Sequence, residues 1–69
     1  MEIIYSYHSK KRLKQRGITE LDVQHVLKYP IYTKKSFEER KEAVGEINNK
    51  RIKVIFIEKE NYIKIITIM

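Results

Sequence analysis

The last third of the chain most strongly restricts the fold, because it contains two adjacent segments that favour β-strands. Residues 51–58, RIKVIFIE, are dense in β-branched and aromatic residues, and residues 62–69, YIKIITIM, repeat this composition. The polar stretch EKEN between them favours a turn. Two such strands predict an antiparallel sheet with one apolar face, which the rest of the chain must cover.

Two short helices predicted in the N-terminal half provide this cover. Residues 7–16, YHSKKRLKQR, contain good helix formers without Gly or Pro, and Gly17 follows where a helix C-terminus favours a left-handed residue. Thr19 and Asp22 have the spacing of a capping box at the start of the second helix. Pro30 ends that helix, because the residue before a proline disfavours helical geometry. The pair is expected to form an αα-hairpin, or two helices that cross at an angle.

Three further strands complete the predicted order of elements. Strand composition recurs in EIIYS at residues 2–6, IYTKKSF at 31–37 and RKEAVGEI at 40–47. Gly45 is interpreted as the mark of a bulge, and Asn48-Asn49 favours a tight hairpin because asparagine tolerates positive φ. The order β-α-α-β-β-β-β predicts an α+β fold, with two N-terminal helices on one antiparallel sheet, as a single domain over residues 1–69.

Composition excludes several kinds of site. The 69 residues contain no cysteine, which rules out disulfides and thiolate metal sites, and two histidines, His8 and His25, are too few for a convincing zinc site. His25 is interpreted as structural or exposed. No apolar run approaches the ~20 residues of a membrane span, and the first residues do not resemble a signal peptide. We therefore expect a cytoplasmic protein that uses no metal, no other cofactor and no membrane.

The charge balance favours a polyanionic partner. Lys and Arg number 15 against 9 Asp and Glu, which gives a formal net charge of +6 on a small domain. A lysine-rich surface that only keeps the protein soluble is the simpler interpretation.

The stretch at residues 5–17 contains one histidine and five cations without an acid. On a helix, His8, Arg12 and Arg16 lie four residues apart and form one stripe. Histidine can accept or donate a proton near neutral pH, and arginine offers a planar fork to phosphate oxygens. These three residues are therefore candidate catalytic residues for cleavage of RNA by its own 2′-hydroxyl group.

Other basic residues and one tyrosine are candidates for nucleic-acid binding. They are Lys10, Lys11 and Lys14 in the first helix, and Arg51, Tyr62 and Lys64 in the last two strands, with Lys53 as a further catalytic candidate. If Lys53 and Lys64 share a solvent-exposed face, they form a basic platform with Tyr62 at its edge, where unpaired bases could stack. Ordinary alternation of apolar and polar residues along a strand is the competing interpretation.

A structural role for the first helix also remains open. Its Leu13 and Ser9 are left to face the sheet. His8 could bond a backbone group, and Arg12 could pair with Glu42 or Glu46 from the sheet.

Residues 5–30 resemble the opening of a small family of uncharacterised domains. Its members begin with an aromatic or serine-rich lead, followed by His-x-x-x-Arg-x-x-x-Arg-Gly-Ile, an acidic-capped helix and a proline. The pattern is met by His8, Arg12, Arg16, Gly17, Ile18, Asp22, Val23 and Pro30. Residues 50–69 look like the family's closing hairpin, with Thr67 near the end.

In layout, that family is similar to the BrnT and RelE/ParE-like toxins of type II toxin–antitoxin systems. The resemblance implies two N-terminal helices on an antiparallel sheet, and a metal-independent mRNA endonuclease that acts on free RNA or on the ribosome. It also implies a cognate antitoxin as partner. RelE-like nucleases carry catalytic basic residues or a tyrosine on late strands and a C-terminal segment, roles for which this chain offers Arg51, Lys53, Tyr62 and Lys64.

Three functions are therefore open. The first is a toxin-like endoribonuclease in which His8 is acid or base, Arg12 and Arg16 hold the scissile phosphate, and Lys53 or Lys64 assists. The second is an RNA- or DNA-binding module without catalysis. The third is a protein-interaction module whose basic face binds an acidic partner, such as an antitoxin tail. A homodimer formed through the exposed edge of the final strand is also expected to be feasible.

Overall fold

The computed structural model describes residues 2–69, and this part of the chain forms two helices and five strands. In chain order they are β1 (Glu2–Tyr5), α1 (Tyr7–Arg16), α2 (Glu20–Lys28), β2 (Tyr32–Lys35), β3 (Arg40–Ile47), β4 (Lys50–Glu58) and β5 (Tyr62–Ile68). The α+β class and the order β-α-α-β-β-β-β predicted from the sequence are confirmed. Both helices pack on one face of the sheet, the covered face, and the opposite face is called the open face.

The strands form one mixed sheet in the order β1-β5-β4-β3-β2. Strands β2 to β5 are antiparallel to their neighbours, but β1 runs parallel to β5, with Ile3 opposite Ile63. The prediction of a wholly antiparallel sheet was wrong for β1, because a strand's composition does not reveal its partner. β5 is not an edge strand, because β1 pairs with its residues 62–65 and β4 lies on its other side. The expectation that the final strand is an exposed edge is wrong for these residues, and a homodimer stays a prediction.

The ends of the helices follow the local sequence closely. Ser6 caps α1, with its Oγ accepting from the Ser9 backbone N–H at 3.0 Å and donating to the Ile66 carbonyl at 2.9 Å, which ties the helix to β5. Gly17 ends α1 with a φ of 65°. Thr19 and Asp22 form the reciprocal capping box that starts α2, with distances of 3.1 and 3.0 Å. The predicted helix boundaries are confirmed.

The hydrophobic core lies between the helices and the covered face. From α1, only Ser9 and Leu13 are buried, and from α2, Val23 and Val26. They pack on alternate residues of the central strands, including Ile52, Val54 and Phe56 of β4 and Ile65 of β5. A helix anchored by one leucine depends on its neighbours for stability, and the rest of its surface is free for other roles.

The glycine in β3 has a packing role that differs from the predicted one. Gly45 pairs regularly with Ile52, and the register shift of the sheet lies between Ile55 and Phe56, where β4 meets β5. The prediction of a bulge at Gly45 was therefore wrong. Val26 approaches so closely that a Cβ at position 45 would lie 2.9 Å from its Cγ2. Glycine is required there because the helix packs directly on the strand backbone.

The two loops that flank β3 both use left-handed backbone. Asn48 and Asn49 have φ values of 51° and 66°, as predicted for a tight hairpin. Glu38 and Glu39 have φ values of 61° and 64° without the advantage of Asn or Gly. This turn shortens the predicted strand 31–37 to Tyr32–Lys35.

The open face has no helix over it in the described chain. Alternation with the core residues directs side chains of β3, β4 and β5 to this face, including buried Val44 and Ile55. Neither of the two helices in residues 2–69 has the length and apolar character needed to cross a membrane.

Candidate nucleic-acid interface

Helix α1 presents two distinct flanks, because each residue advances about 100° around the helix axis. Ser9 and Leu13 point towards the sheet and are 0% and 6% exposed. The flanks on either side of this buried line are named for their cations. The arginine flank consists of His8, Arg12 and Arg16, and the lysine flank consists of Tyr7, Lys10 and Lys14.

Two surface cavities lie one on each of these flanks. A small cavity of about 140 Å³ is lined by His8, Lys11, Arg12 and Gln15. A larger open groove of about 820 Å³ lies on the lysine flank and reaches the start of α2. Lys11 lines both and therefore lies on the outer surface between the flanks. Of the stripe predicted from spacing, His8, Arg12 and Arg16, the first two line the small cavity and Arg16 does not.

The cations of α1 are not neutralised by nearby acids. The helix contains no acid, and none of its five Lys and Arg residues forms an ion pair within residues 2–69. The ion pairs of that region all lie in the sheet and its loops: Lys34–Glu42 at 3.6 Å, Lys41–Glu58 at 2.7 Å and Lys59–Glu39 at 3.2 Å. Like charges one helical turn apart destabilise a helix by about 0.2–0.5 kcal/mol per pair. An anionic ligand would remove this repulsion.

The structure does not support the structural role considered for Arg12. Glu42 pairs with Lys34, and both Glu42 and Glu46 alternate with core residues of β3 and face the open side, away from α1. Pairing of either acid with Arg12 was therefore a wrong expectation.

Arg12 is the residue of the arginine flank best placed to hold an anion. Its side chain is half-buried, and its Nε is buried without a hydrogen-bond partner among the residues described. Leaving a buried donor unpaired costs roughly 1–3 kcal/mol. Arg12 also lines the small cavity, where its guanidinium group offers further donors to an anion. His8 is exposed beside the same cavity. His8 and Arg12 therefore line the same small cavity, together with Lys11 and Gln15.

The strand residues of the predicted basic platform share the open face. Lys53 alternates with buried Ile52 and Val54, and Lys64 alternates with Ile63 and Ile65 of the covered face. Arg51 and Tyr62 point to the open side by the same alternation. Lys53 and Lys64 are not adjacent, since Lys64 pairs with Ile57, about 13 Å along β4 from Lys53.

The structure separates Lys53 from the other three candidate catalytic residues. His8, Arg12 and Arg16 lie on a helix that packs on the covered face, whereas Lys53 projects from the open face. The small cavity at His8 is lined by α1 residues alone. The expectation that Lys53 assists at the same phosphate is therefore wrong in this fold, and Lys64 is excluded from that centre for the same reason.

Two features were missed from the sequence. One is the groove on the lysine flank, which depends on how the α1–α2 turn folds back. The other is Tyr5, whose hydroxyl donates to the Glu20 carbonyl at 3.4 Å. Burial, and to a lesser degree the charge of Glu20, raises the pKa of Tyr5 to about 12. No sequence pattern signals either feature. His25 is exposed, as one of its two interpretations held, with its ring 5.3 Å from that of Tyr29.

Comparison with known proteins identifies a family and no relative of known activity. Residues 5–69 match the model of a domain of unknown function, DUF4258. No curated protein and no solved structure is significantly similar to the chain. The relationship to BrnT and RelE/ParE toxins therefore stays a prediction. Since the match spans nearly the whole chain, this protein belongs to the DUF4258 family.

Proposed function

We propose that this protein binds single-stranded RNA, with the arginine flank of α1 and the adjacent Lys11 in contact with successive phosphates. The observation that carries the proposal is the acid-free helix whose five cations have no ion-pair partner within residues 2–69. The open face is a weaker candidate, because Glu42 and Glu46 lie among its cations and Glu42 is paired with Lys34. RNA is preferred over DNA because the resemblance noted in the sequence implies a toxin of the RelE-like type, which acts on RNA.

The dimensions of the flank suit a short stretch of backbone. His8 and Arg16 are eight residues apart, a distance of about 12 Å along the helix axis. That length accommodates about two or three phosphates, and each neutralised phosphate of a single strand contributes about −0.7 to the slope of log affinity against log salt. Arg12 occupies the centre of the flank and lines the small cavity, where its guanidinium group would donate to phosphoryl oxygens.

Fluorescence anisotropy with a labelled unstructured RNA, measured over a series of salt concentrations, tests this proposal. Wild type should bind with a slope of about −2, and Lys11→Ala/Arg12→Ala should reduce its magnitude by roughly 1.4. Arg51→Ala/Lys53→Ala removes the same charge from the open face and is the matched control. NMR spectra verify that both variants are folded. If the control variant loses the slope instead, the interface lies on the sheet and the assignment to α1 is wrong.

A second candidate function is metal-independent RNA cleavage of the kind carried out by RelE-like toxins. Its specific support is that His8 and Arg12 line one small cavity. His8 would accept the proton of the 2′-hydroxyl, the 2′-oxygen would attack phosphorus, and the bond to the 5′-oxygen would break to leave a 2′,3′-cyclic phosphate. The departing 5′-oxygen, opposite the attacking group, would take its proton from solvent water, since the residues that line the cavity include no second histidine and no carboxylic acid. Lys53, which was expected to assist at the same phosphate, faces away from His8. RNA cleavage is therefore proposed only as a second candidate, below RNA binding.

A cleavage assay with RNA and a chelator separates the two functions. Under the second candidate, wild type cleaves RNA, His8→Ala does not, and His25→Ala remains active because His25 lies on the other helix. Growth after induced expression provides the parallel readout. Absence of cleavage by wild type, both alone and with ribosomes, would reject the nuclease and leave RNA binding in place.

The proposed function also implies a cellular location and a protein partner. A protein that binds mRNA, free or on the ribosome, would act in the cytoplasm. If it is a toxin, an antitoxin would restrain it.

A further inference from the structure

The groove on the lysine flank is a second surface, which shares only Lys11 with the proposed RNA contacts. It is open and has a volume of about 820 Å³. Leu13, 6% exposed, and half-buried Ile18 form its apolar floor. Tyr7, which is 83% exposed, lies at its rim. The groove therefore combines an apolar base with a large aromatic side chain that has no cover in the described chain.

Positive charge surrounds this apolar base. Lys10, Lys11 and Lys14 line the groove, and Glu20 is the single acid among the lining residues within 2–69. None of the three lysines has an ion-pair partner in that part of the chain. A lysine side chain places apolar methylene groups along a surface and holds its ammonium group at the edge. The groove thus favours a ligand with apolar side chains at its centre and carboxylates at its margin.

We propose that this groove binds a short, acidic, amphipathic segment of another protein. Apolar side chains of the segment lie on Leu13 and Ile18, and its carboxylates face Lys10 and Lys14. This is the mode in which amphipathic segments occupy grooves between helices. An RNA strand would bring charge but no aliphatic side chains for the floor, whereas the arginine flank offers the planar forks and the small cavity that suit phosphate. This inference does not rest on the proposed RNA binding.

Selection from a displayed random library of peptides of about 15 residues, long enough for an amphipathic helix, provides the probe. Enriched peptides should carry Asp or Glu together with Leu, Ile or Phe. Titration of one such peptide into isotope-labelled protein should shift the amide signals of Tyr7, Leu13 and Ile18. Signals of the open face should stay in place.

Charge-reversal variants then test the contacts. Lys10→Glu/Lys14→Glu should weaken the peptide about tenfold or more, which corresponds to the loss of two charge pairs and the gain of two repulsions. Lys50→Glu/Arg51→Glu makes the same change of net charge on the sheet and should alter affinity by less than about twofold. Arg12→Ala should leave peptide binding unchanged, so failure of the RNA proposal does not affect this one.

Three results would overturn the inference. They are enrichment of peptides without acidic residues, shifts that map outside the groove, and equal loss of affinity in the sheet variant. An unstructured RNA that shifts the same amides and displaces the peptide would assign the groove to the nucleic-acid surface instead.

Discussion

Val26 of α2 packs directly against the backbone of Gly45 in β3. A Cβ on Gly45 would lie 2.9 Å from Cγ2 of Val26 and 3.1 Å from its Cγ1. Val26 is fully buried, so its methyl groups cannot move without disturbing the core. We therefore expect Gly45→Ala to lower the free energy of unfolding by about 1–3 kcal/mol, measured by urea denaturation.

A second substitution tests the cause. Val26→Ala is destabilising alone, but it makes room for the new methyl group, so the double variant should be more stable than the sum of the single effects predicts. Gly17→Ala is a useful contrast, since nothing lies within 4 Å of a Cβ there and only the φ of 65° is unfavourable. If the effects of the two substitutions at 26 and 45 simply add, the close approach is not the cause.

Local structure was predictable from the sequence where it depends only on residues that are close together in the chain. The Thr19–Asp22 capping box, the left-handed Gly17 and the Asn48-Asn49 turn each depend on residues close in the chain. The direction of β1 was not predictable, because it depends on the pairing of Ile3 with Ile63, which lies at the other end of the chain. The composition of a short strand does not show which other strand it pairs with.

The candidate site was also only partly predictable from the sequence. The stripe of His8 and Arg12 followed from helical spacing. The separation of Lys53 from that stripe could also have been inferred, since Ile52 and Val54 on either side of it must face the helices. The groove on the lysine flank could not, because its depth depends on where the turn before α2 places Ile18.

Glu38 lies in a turn whose backbone it does not favour. Its φ is 61°, and that of Glu39 is 64°. Left-handed backbone is easier for glycine than for a residue with a Cβ, so Glu38→Gly should raise the free energy of unfolding by about 0.5–1 kcal/mol. Glu60→Gly in the neighbouring turn, where φ is not positive, should give no gain. Thermal unfolding of both variants provides the measurement, and equal changes in Tm would contradict this account.

Burial of Tyr5 makes the stability of the fold sensitive to alkaline pH. The pKa of its phenol is raised from 10.0 to about 12, first by burial and then by Glu20. Above pH 10 the unfolded chain loses the proton while the folded protein keeps it, so ionisation favours unfolding. Tyr5 therefore contributes stability that is fully present below about pH 10 and is lost as the pH rises towards 12. Urea denaturation at a series of alkaline pH values should show this decline.

Substitution of Tyr5 shows how much of the loss of stability above pH 10 is caused by ionisation of its phenol. Tyr5→Phe retains the buried ring and removes the titrating hydroxyl, so its stability should fall less steeply above pH 10 than that of wild type. Tyr7→Phe, at a position that is 83% exposed, should keep the wild-type slope. Identical slopes for all three proteins would attribute the decline to other groups, such as the lysines.

Lys10 is unfavourable for the helix that contains it. It lies near the N-terminus of α1, where the helix dipole favours acids, and one turn from Lys14, which carries the same charge. Lys10→Glu should therefore raise the free energy of unfolding by about 0.5–1 kcal/mol at low salt, with a smaller gain at high salt. Lys14→Glu makes the same change of charge in the last turn, where the dipole opposes an acid, and should give no such gain.

Both variants should lose affinity for the acidic peptides selected against the groove. A gain in stability together with a loss of binding at position 10 would show that this lysine is present for a ligand, whereas loss of stability in Lys10→Glu would show that it supports the helix.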